Sequence, residues 1–375
     1  MKASAADRAK EAYFTASQRQ LVWARFKRNR SAMIAGFVLV LLILMGLFAD
    51  FIGPYNPTLA GRNPEYTNGA PQIPRFCDDN GCSWQPFIYG VKRTRSIETN
   101  FRWVTTIDTE NPIYISLWVK GHEYQWFGVT LDRHLFGVEG GGFVHIFGTD
   151  VTGKDIFSRT LHAIKTSLAV GTIGVLISFV LALAIGGVAG YFGGVIDGFI
   201  QMITDTVRVV PAIPLFMALA AFVPDTWSAE QRFFFISIIL GLIGWPTLAR
   251  RVRTHILSER NQDYVLAARL SGARSGHIIR RHLLPSFTSY IIVDLVISFP
   301  YMVLSETALS FIGLGLKDPV NSLGVMLQNT TSADVLLNYQ WYFIPVIFFV
   351  ALVMAFVFVG DGLRDAADPY SDTKR

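Results

Sequence analysis

Six long apolar runs, at about 32–52, 167–191, 199–223, 233–249, 287–312 and 342–362, constrain this 375-residue chain more than any other feature. Each approaches the ~20 residues that a helix needs to cross a bilayer. Without water to bond stray backbone groups, such runs satisfy themselves as helices. They predict an all-α integral membrane protein with six transmembrane helices. The composition, 51% hydrophobic and only 16% charged with 29 Phe, excludes an ordinary soluble globular domain. The net charge of +5 does not point to nucleic acid, because the basic residues sit in short segments flanking the apolar runs.

That charge distribution gives a topology. Residues 1–31 form a cytoplasmic amphipathic basic segment, including QRQLVWARFKRNR from Gln18 to Arg30, and 32–52 is the first transmembrane anchor. The anchor is too long for a signal-peptide core and no small-residue cleavage site follows, so it reads as an uncleaved signal anchor, with Lys27, Arg28 and Arg30 holding its start inside. Residues 53–164 turn rich in Pro, Gly, Asn, Trp and charge, and form an extracytoplasmic loop or small subdomain. Short strands are expected there around FRWVTTI and IYISLWV, where β-branched and aromatic residues alternate with polar ones. A transmembrane domain of five helices spans 165–362 with a cytoplasmic hairpin at 257–285, and 363–375 is a cytoplasmic tail. The 250–286 loop carries Arg250, Arg251, Arg253, Arg260, Arg269, Arg274, Arg280 and Arg281 against Glu259 and Asp263, whereas 313–341 has the single base Lys317. Both termini are therefore placed in the cytoplasm.

Several smaller patterns carry chemistry. Cys77 and Cys82 enclose the turn-forming DDNG, so their Cα atoms can approach at little loop-closure cost; a disulfide is favoured outside the cytoplasm, and two unpaired thiols are the alternative. A metal site there lacks two further ligands, and none is expected elsewhere. Gly174, Ser178, Ala182, Gly186 and Gly190 form a small-residue ridge on one helix face, suited either to an intrachain seam or to a subunit interface. Asp205, Arg208, Asp294 and Glu306 fall within apolar runs and must face protein or water. Asp205 and Arg208, three residues apart, can neutralise one another, and with Pro211 and Pro214 suit either a polar translocation path or a rigid bend. Glu306 sits near the outer end of its span, as a path candidate or an interfacial structural group. GTDVTGKD, Gly148 to Asp155, ends in Asp where a phosphate loop has Ser or Thr, so it is read as a helix cap and not as a nucleotide site.

The stretch DYVLAARLSGARSGHIIRRHLLP, Asp263 to Pro285, is a polar helical hairpin between two spans. Its first helix presents the small Ala267 and Ala268, Ser271 and Gly272 break it, and a second helix sets Ile278, Ile279 and Leu283 opposite Arg280, Arg281 and His282. The AAxxxG pattern followed by HLLP resembles the EAA loop of binding-protein-dependent ABC importer permeases. Ala267, Ala268, Gly272, Leu284 and Pro285 match, but Leu266 stands where the motif has an acid, and Asp263 is the nearest substitute. HIFGTDVTGKDIFSRTLHAIKTSL, GYFGGVID, VPAIP, SETALSFIGLGL and GDGLRDAADP are similar to further blocks of the oligopeptide and dipeptide C-type permease family.

The resemblance implies a type I ABC importer permease fold in a bacterial cytoplasmic membrane and no catalytic residue on this chain. It implies a heterodimer with a homologous permease, two ATPase subunits that bind the ATP and magnesium, an external solute-binding protein, and peptide as cargo. Related importers carry nickel complexes, glycosides or opines. The hairpin would then couple ATP hydrolysis elsewhere to transport. Two rival classes follow from the residues alone. One is an ion- or proton-coupled secondary transporter using Asp205, Asp294 and Glu306; the other is an intramembrane enzyme, for which no HExxH or GxSxG is present.

Overall fold

A computed structural model describes residues 18–58, 61–78, 81–95, 103–126, 128–140, 142–224 and 226–368. The described part of the basic segment is helix α1 (Gln18–Arg28), which breaks at Asn29 before the first span, α2 (Arg30–Leu47). Asn29 is extended and its side-chain oxygen accepts from the Ala32 amide, a standard N-cap. α1 folds back on the last helix, where Gly362 leaves room for Ala32 and Phe26.

The segment between α2 and the next long apolar helix holds a four-stranded antiparallel meander in the order β1 (Arg75–Asp78), β2 (Gly81–Arg95), β3 (Trp103–Trp126) and β4 (Val129–Val138). The architecture is therefore helical in the membrane with a sheet outside it. The two expected short strands are one: Thr105 to Ile107 and Ile113 to Val119 both lie in the 24-residue β3, while Phe101 and Arg102 lie outside the described residues. A register shift opposite Tyr89 and Gly90 absorbs the polar DTEN stretch between them, so a local loop signal became a bulge. Cys77 and Cys82 face each other at the β1–β2 turn and are bonded, with S–S 2.08 Å; Asp79 and Asn80 lie outside the described residues. Alkylation of native membranes is expected to modify neither cysteine before reduction and both after it, and free thiols without reduction would refute the bond.

Among the described residues, five helices are long and apolar enough to cross a membrane: α2, α3 (Ile156–Phe192), α6 (Ala229–Glu259), the Tyr290–Phe311 part of α9 (Thr288–Phe311), and a segment ending in α12 (Ile344–Ala367), which follows the short α10 (Leu323–Gln328) and α11 (Ala333–Asn338). The run at 199–223 does not form one straight helix. It is α4 (Gly194–Val209) followed by α5 (Ala212–Ala221), bent by 89°, so the count is five spans or six if the bent pair is one. The break falls at Val210 and Pro211, where proline disfavours helix in the residue before it. α3 begins eleven residues before the apolar run because Asp155 caps it, accepting from the Ser158 amide at 2.7 Å. α6 likewise starts on a capping box of Ser228 and Gln231.

The small-residue ridge is an intrachain seam. Ser178 donates to the Gly241 carbonyl at 2.7 Å, a Cβ on Gly186 would collide with the Ala249 carbonyl, and one on Gly190 would lie 2.8 Å from that of Arg253. Each partner is 63 positions on (241 − 178, 249 − 186, 253 − 190), so α3 and α6 run parallel in strict register. The main core fills between α2, α3, α6, α9 and α12 with residues such as Leu42, Ile164, Leu240, Val303 and Leu352.

At the sheet end, GTDVTGKD is a buried polar node. Asp150 accepts from the Thr152 and Lys154 amides and pairs with Arg159, which also donates to Asn321 at 2.6 Å; Lys154, fully buried, reaches Asp318 at 2.7 Å. These bonds tie the start of α3 to the loop after α9. They occupy the groups a phosphate would require.

His145 is fully buried beside this node, and burial lowers its imidazole to about 4 from 6.5. Above pH 6.5 the group is neutral whether folded or unfolded, and its contribution is complete. Between 6.5 and 4 the unfolded chain takes up a proton that the folded His145 refuses, so stability falls with pH, by on the order of 3 kcal/mol across the window. Amide exchange around residues 66–72 and 143–149 is expected to lose protection on acidification in this range; a flat profile would refute this.

Candidate functional site

The 263–285 segment packs at the end of the molecule opposite the sheet. α7 (Asp263–Leu270) ends in a turn that reveals why glycine follows AAxxx. Gly272 has φ +79°, its amide bonds the Arg269 carbonyl at 2.9 Å, and the Ala273 amide bonds that of Ala268 at 3.1 Å. This is a Schellman motif, in which a left-handed residue closes the helix. No atom lies within 4 Å of a Cβ placed on Gly272, so the requirement for glycine is conformational within this chain.

The second arm starts as α8 (Ser275–Ile278) and continues through a π turn, Ile279–Leu283, into Leu284–Ser286. The wider turn brings Ile278 and Leu283, five residues apart, onto one buried face. Together with Val265 they pack on Tyr191 of α3, Val252 and Ile256 of α6, and Phe287. Arg280 and Arg281 point outward, as the expected amphipathicity required. Arg269 lies over the Tyr191 ring at 4.9 Å, and Arg260 donates to the Gly190 and Tyr191 carbonyls at 3.3 Å, capping the end of α3.

The predicted coupling residues separate by exposure. Asp263, Ala267, Gly272 and Pro285 are exposed, whereas Ala268 and Leu284 are half-buried against the cluster beneath. Leu266 is 42% exposed, one turn after Asp263, so the position of the missing acid lies on the outward surface. Leu270, 89% exposed, adds an apolar side chain at the tip.

The expected Asp205–Arg208 pair does not form. Asp205 is paired with Arg250 of α6, while Arg208 is exposed on α4. A tertiary partner replaces the helical neighbour because α6 presents three arginines toward its C-terminal end, each set against a carboxylate. Arg251 binds Asp294 of α9 at 2.7 Å, and Arg253 binds Asp197 of α4 through both carboxylate oxygens. Sequence reading missed this ladder; the signal available was that Arg250, Arg251 and Arg253 matched in number the nearby acids Asp197, Asp205 and Asp294. Glu306 is 0% exposed, accepting from Ser310 at 2.7 Å and Ser167 at 3.4 Å, so it joins α9 to α3. Among the described residues, no group of three or more His, Cys, Asp or Glu is placed to hold a metal ion.

Residues 161–370, from the first turns of α3 to just beyond α12, match the family described as binding-protein-dependent transport system inner membrane component. The chain belongs to that family. Residues 17–71 separately match the N-terminal transmembrane domain of oligopeptide transport permease C. The sheet falls in the stretch between the two matched regions.

This inner membrane component is 38% identical over 226 residues to the dipeptide transport system permease protein DppC of Bacillus subtilis, covering 60% of this chain and 68% of that protein. It is 29% identical over 362 residues to the Lactococcus lactis protein of the same description, covering 93% and 90%. The oligopeptide transport system permease protein OppC of Mycobacterium bovis is 33% identical over 235 residues, covering 62% and 79%. A solved chain of the MetNI methionine ABC transporter, in an inward facing conformation, aligns with a TM-score of 0.44 at 19% identity, covering 56% of this chain and 96% of that one.

Proposed function

We propose that this component is the transmembrane permease subunit of an ABC importer for di- and oligopeptides, pairing with a homologous permease to line the path. An external solute-binding protein would deliver the cargo. Two cytoplasmic subunits would hydrolyse ATP with bound magnesium, and this chain would contribute neither catalytic residue nor cofactor. The peptide assignment rests on the relatives described as dipeptide and oligopeptide permeases; a nickel complex, glycoside or opine is the alternative cargo.

The single observation that carries the mechanism is the mounting of the hairpin. Its buried face is fixed to the ends of α3 and α6 through Val265, Ile278 and Leu283, and its outer face leaves Asp263, Leu266, Ala267 and Gly272 open to a partner. Displacement of the hairpin by an ATPase would tilt both helices and alternate access to the path. This reading puts the hairpin, the N-terminal helix and the C-terminus in the cytoplasm, and the sheet outside. The secondary-transporter reading loses support because Asp205 and Asp294 are neutralised by Arg250 and Arg251.

The test is uptake of labelled dipeptides and oligopeptides into proteoliposomes containing the two permeases, the ATPases and the binding protein. Uptake that requires ATP and every subunit is expected. Uptake by the purified chain alone, driven by a proton gradient, would overturn the importer reading.

A further inference from the structure

An apolar groove of about 520 Å³ opens between the outer end of α2 and the β3–β4 hairpin. Leu44, Phe48 and Ile52 form one wall, and Trp126, Leu131 and Leu135 the other. Its volume lies within the ~300–1,000 Å³ of small-molecule sites. No charged side chain lines it, so ordered water would find few partners there.

The position of this groove says what fills it. On α2, Ile34, Phe37, Leu41 and Leu44 recur at helical spacing and are 67%, 72%, 47% and 45% exposed. In a membrane-spanning helix this stripe meets lipid. It does not end at the bilayer edge: Leu41 and Leu44 are also groove residues, and the stripe continues through Phe48 beneath the sheet. The hairpin lies over it as a roof, fixed by ring contacts of Phe48 with Trp126 and Phe51 with Trp118, each at 5.5 Å between centroids. Leu131 and Leu135 of β4 line the groove, and the neighbouring charges Asp132 and Lys120 are paired with each other at 3.3 Å. The groove is thus a covered, apolar continuation of a lipid-facing surface.

We infer that this groove is a lipid site: one acyl chain of an outer-leaflet phospholipid runs up α2 and ends beneath the β3–β4 hairpin. The bound chain completes the contact between the sheet and the first span, so the sheet is seated by lipid as well as by protein.

The test uses the full chain in proteoliposomes of phosphatidylethanolamine and phosphatidylglycerol, doped with phospholipid bearing a diazirine at the acyl-chain terminus. After photolysis, peptide mapping is expected to find adducts on residues 124–135 as well as on the exposed face of α2. A headgroup-borne diazirine is expected to label 124–135 at least several-fold less. Filling the groove with Leu131→Trp and Leu135→Trp should reduce the tail adducts on the sheet several-fold and leave those at Ile34 and Phe37 unchanged. Adducts confined to α2 would overturn the inference, whether a partner subunit or nothing occupies the groove. Equal labelling of 124–135 by both probes in the unmodified chain would also overturn it, because that pattern reports surface contact alone.

Discussion

Gly272→Trp is expected to insert normally and hydrolyse ATP within the assembled transporter while peptide uptake falls at least roughly ten-fold. Two effects combine. An L-residue at φ +79° costs about 1–2 kcal/mol, enough by itself to shift seating of the turn by about a factor of ten. The indole would also project from the outer face, where no atom of this chain lies within 4 Å, into the space that the proposed function assigns to an ATPase. Gly272→Asn separates the two, because Asn tolerates the left-handed region and adds far less bulk. It should retain an intermediate rate. Full uptake by the Trp variant, measured beside its ATPase activity, would remove the coupling role of the hairpin.

Gly186→Leu is expected to be more destructive, and in a different assay. A Cβ at this position already collides with the Ala249 carbonyl, so α3 and α6 must separate or slip by a turn. Slippage would break the common register that also holds Ser178 on Gly241. A cost of about 3 kcal/mol is expected from overpacking alone. The readout is the amount of folded protein in the membrane and the melting temperature of the purified complex. Unchanged values would mean that the seam is looser than the register implies. Val195→Leu, on a residue 90% exposed in the following helix, is the matched control and should be silent.

What the sequence made legible follows the range of each interaction. The spans around α2, α6, α9 and α12 were set by apolar runs, a signal that lipid makes nearly local. The hairpin turn was legible for the same reason, since Gly272 and Ala273 close the helix through bonds to the Arg269 and Ala268 carbonyls a few residues away. The small-residue spacing of 174 to 190 was visible, but only the opposing carbonyls of α6 decided that it packs within the chain. The ion pairs were missed because their partners lie 43 to 56 positions apart. Helical spacing suggested Arg208 for Asp205, and a neighbouring helix supplied Arg250. The sheet was half legible: β-rich composition announced strands, but joining two of them into β3 depended on pairing with β2 and β4. Glu306 stayed open between a path group and a structural one because the serines that decide for the structural role come from α3 and the end of α9.

The constant offset of 63 between α3 and α6 has a mechanical meaning. Two parallel helices whose backbones meet at Gly186 and Gly190, in the same register as the Ser178–Gly241 bond, cannot slide without climbing over one another, so they behave as a single girder. α3 alone, with 37 residues, is about 55 Å long. The hairpin is bolted to one end of this girder, and the Asp150–Arg159 node clamps the other. A few degrees of rotation imposed at the hairpin would therefore arrive as several ångströms of sweep at the far end, with no slack lost between them. Under the proposed function, the stroke would be set by the length of the girder and the position of its pivot.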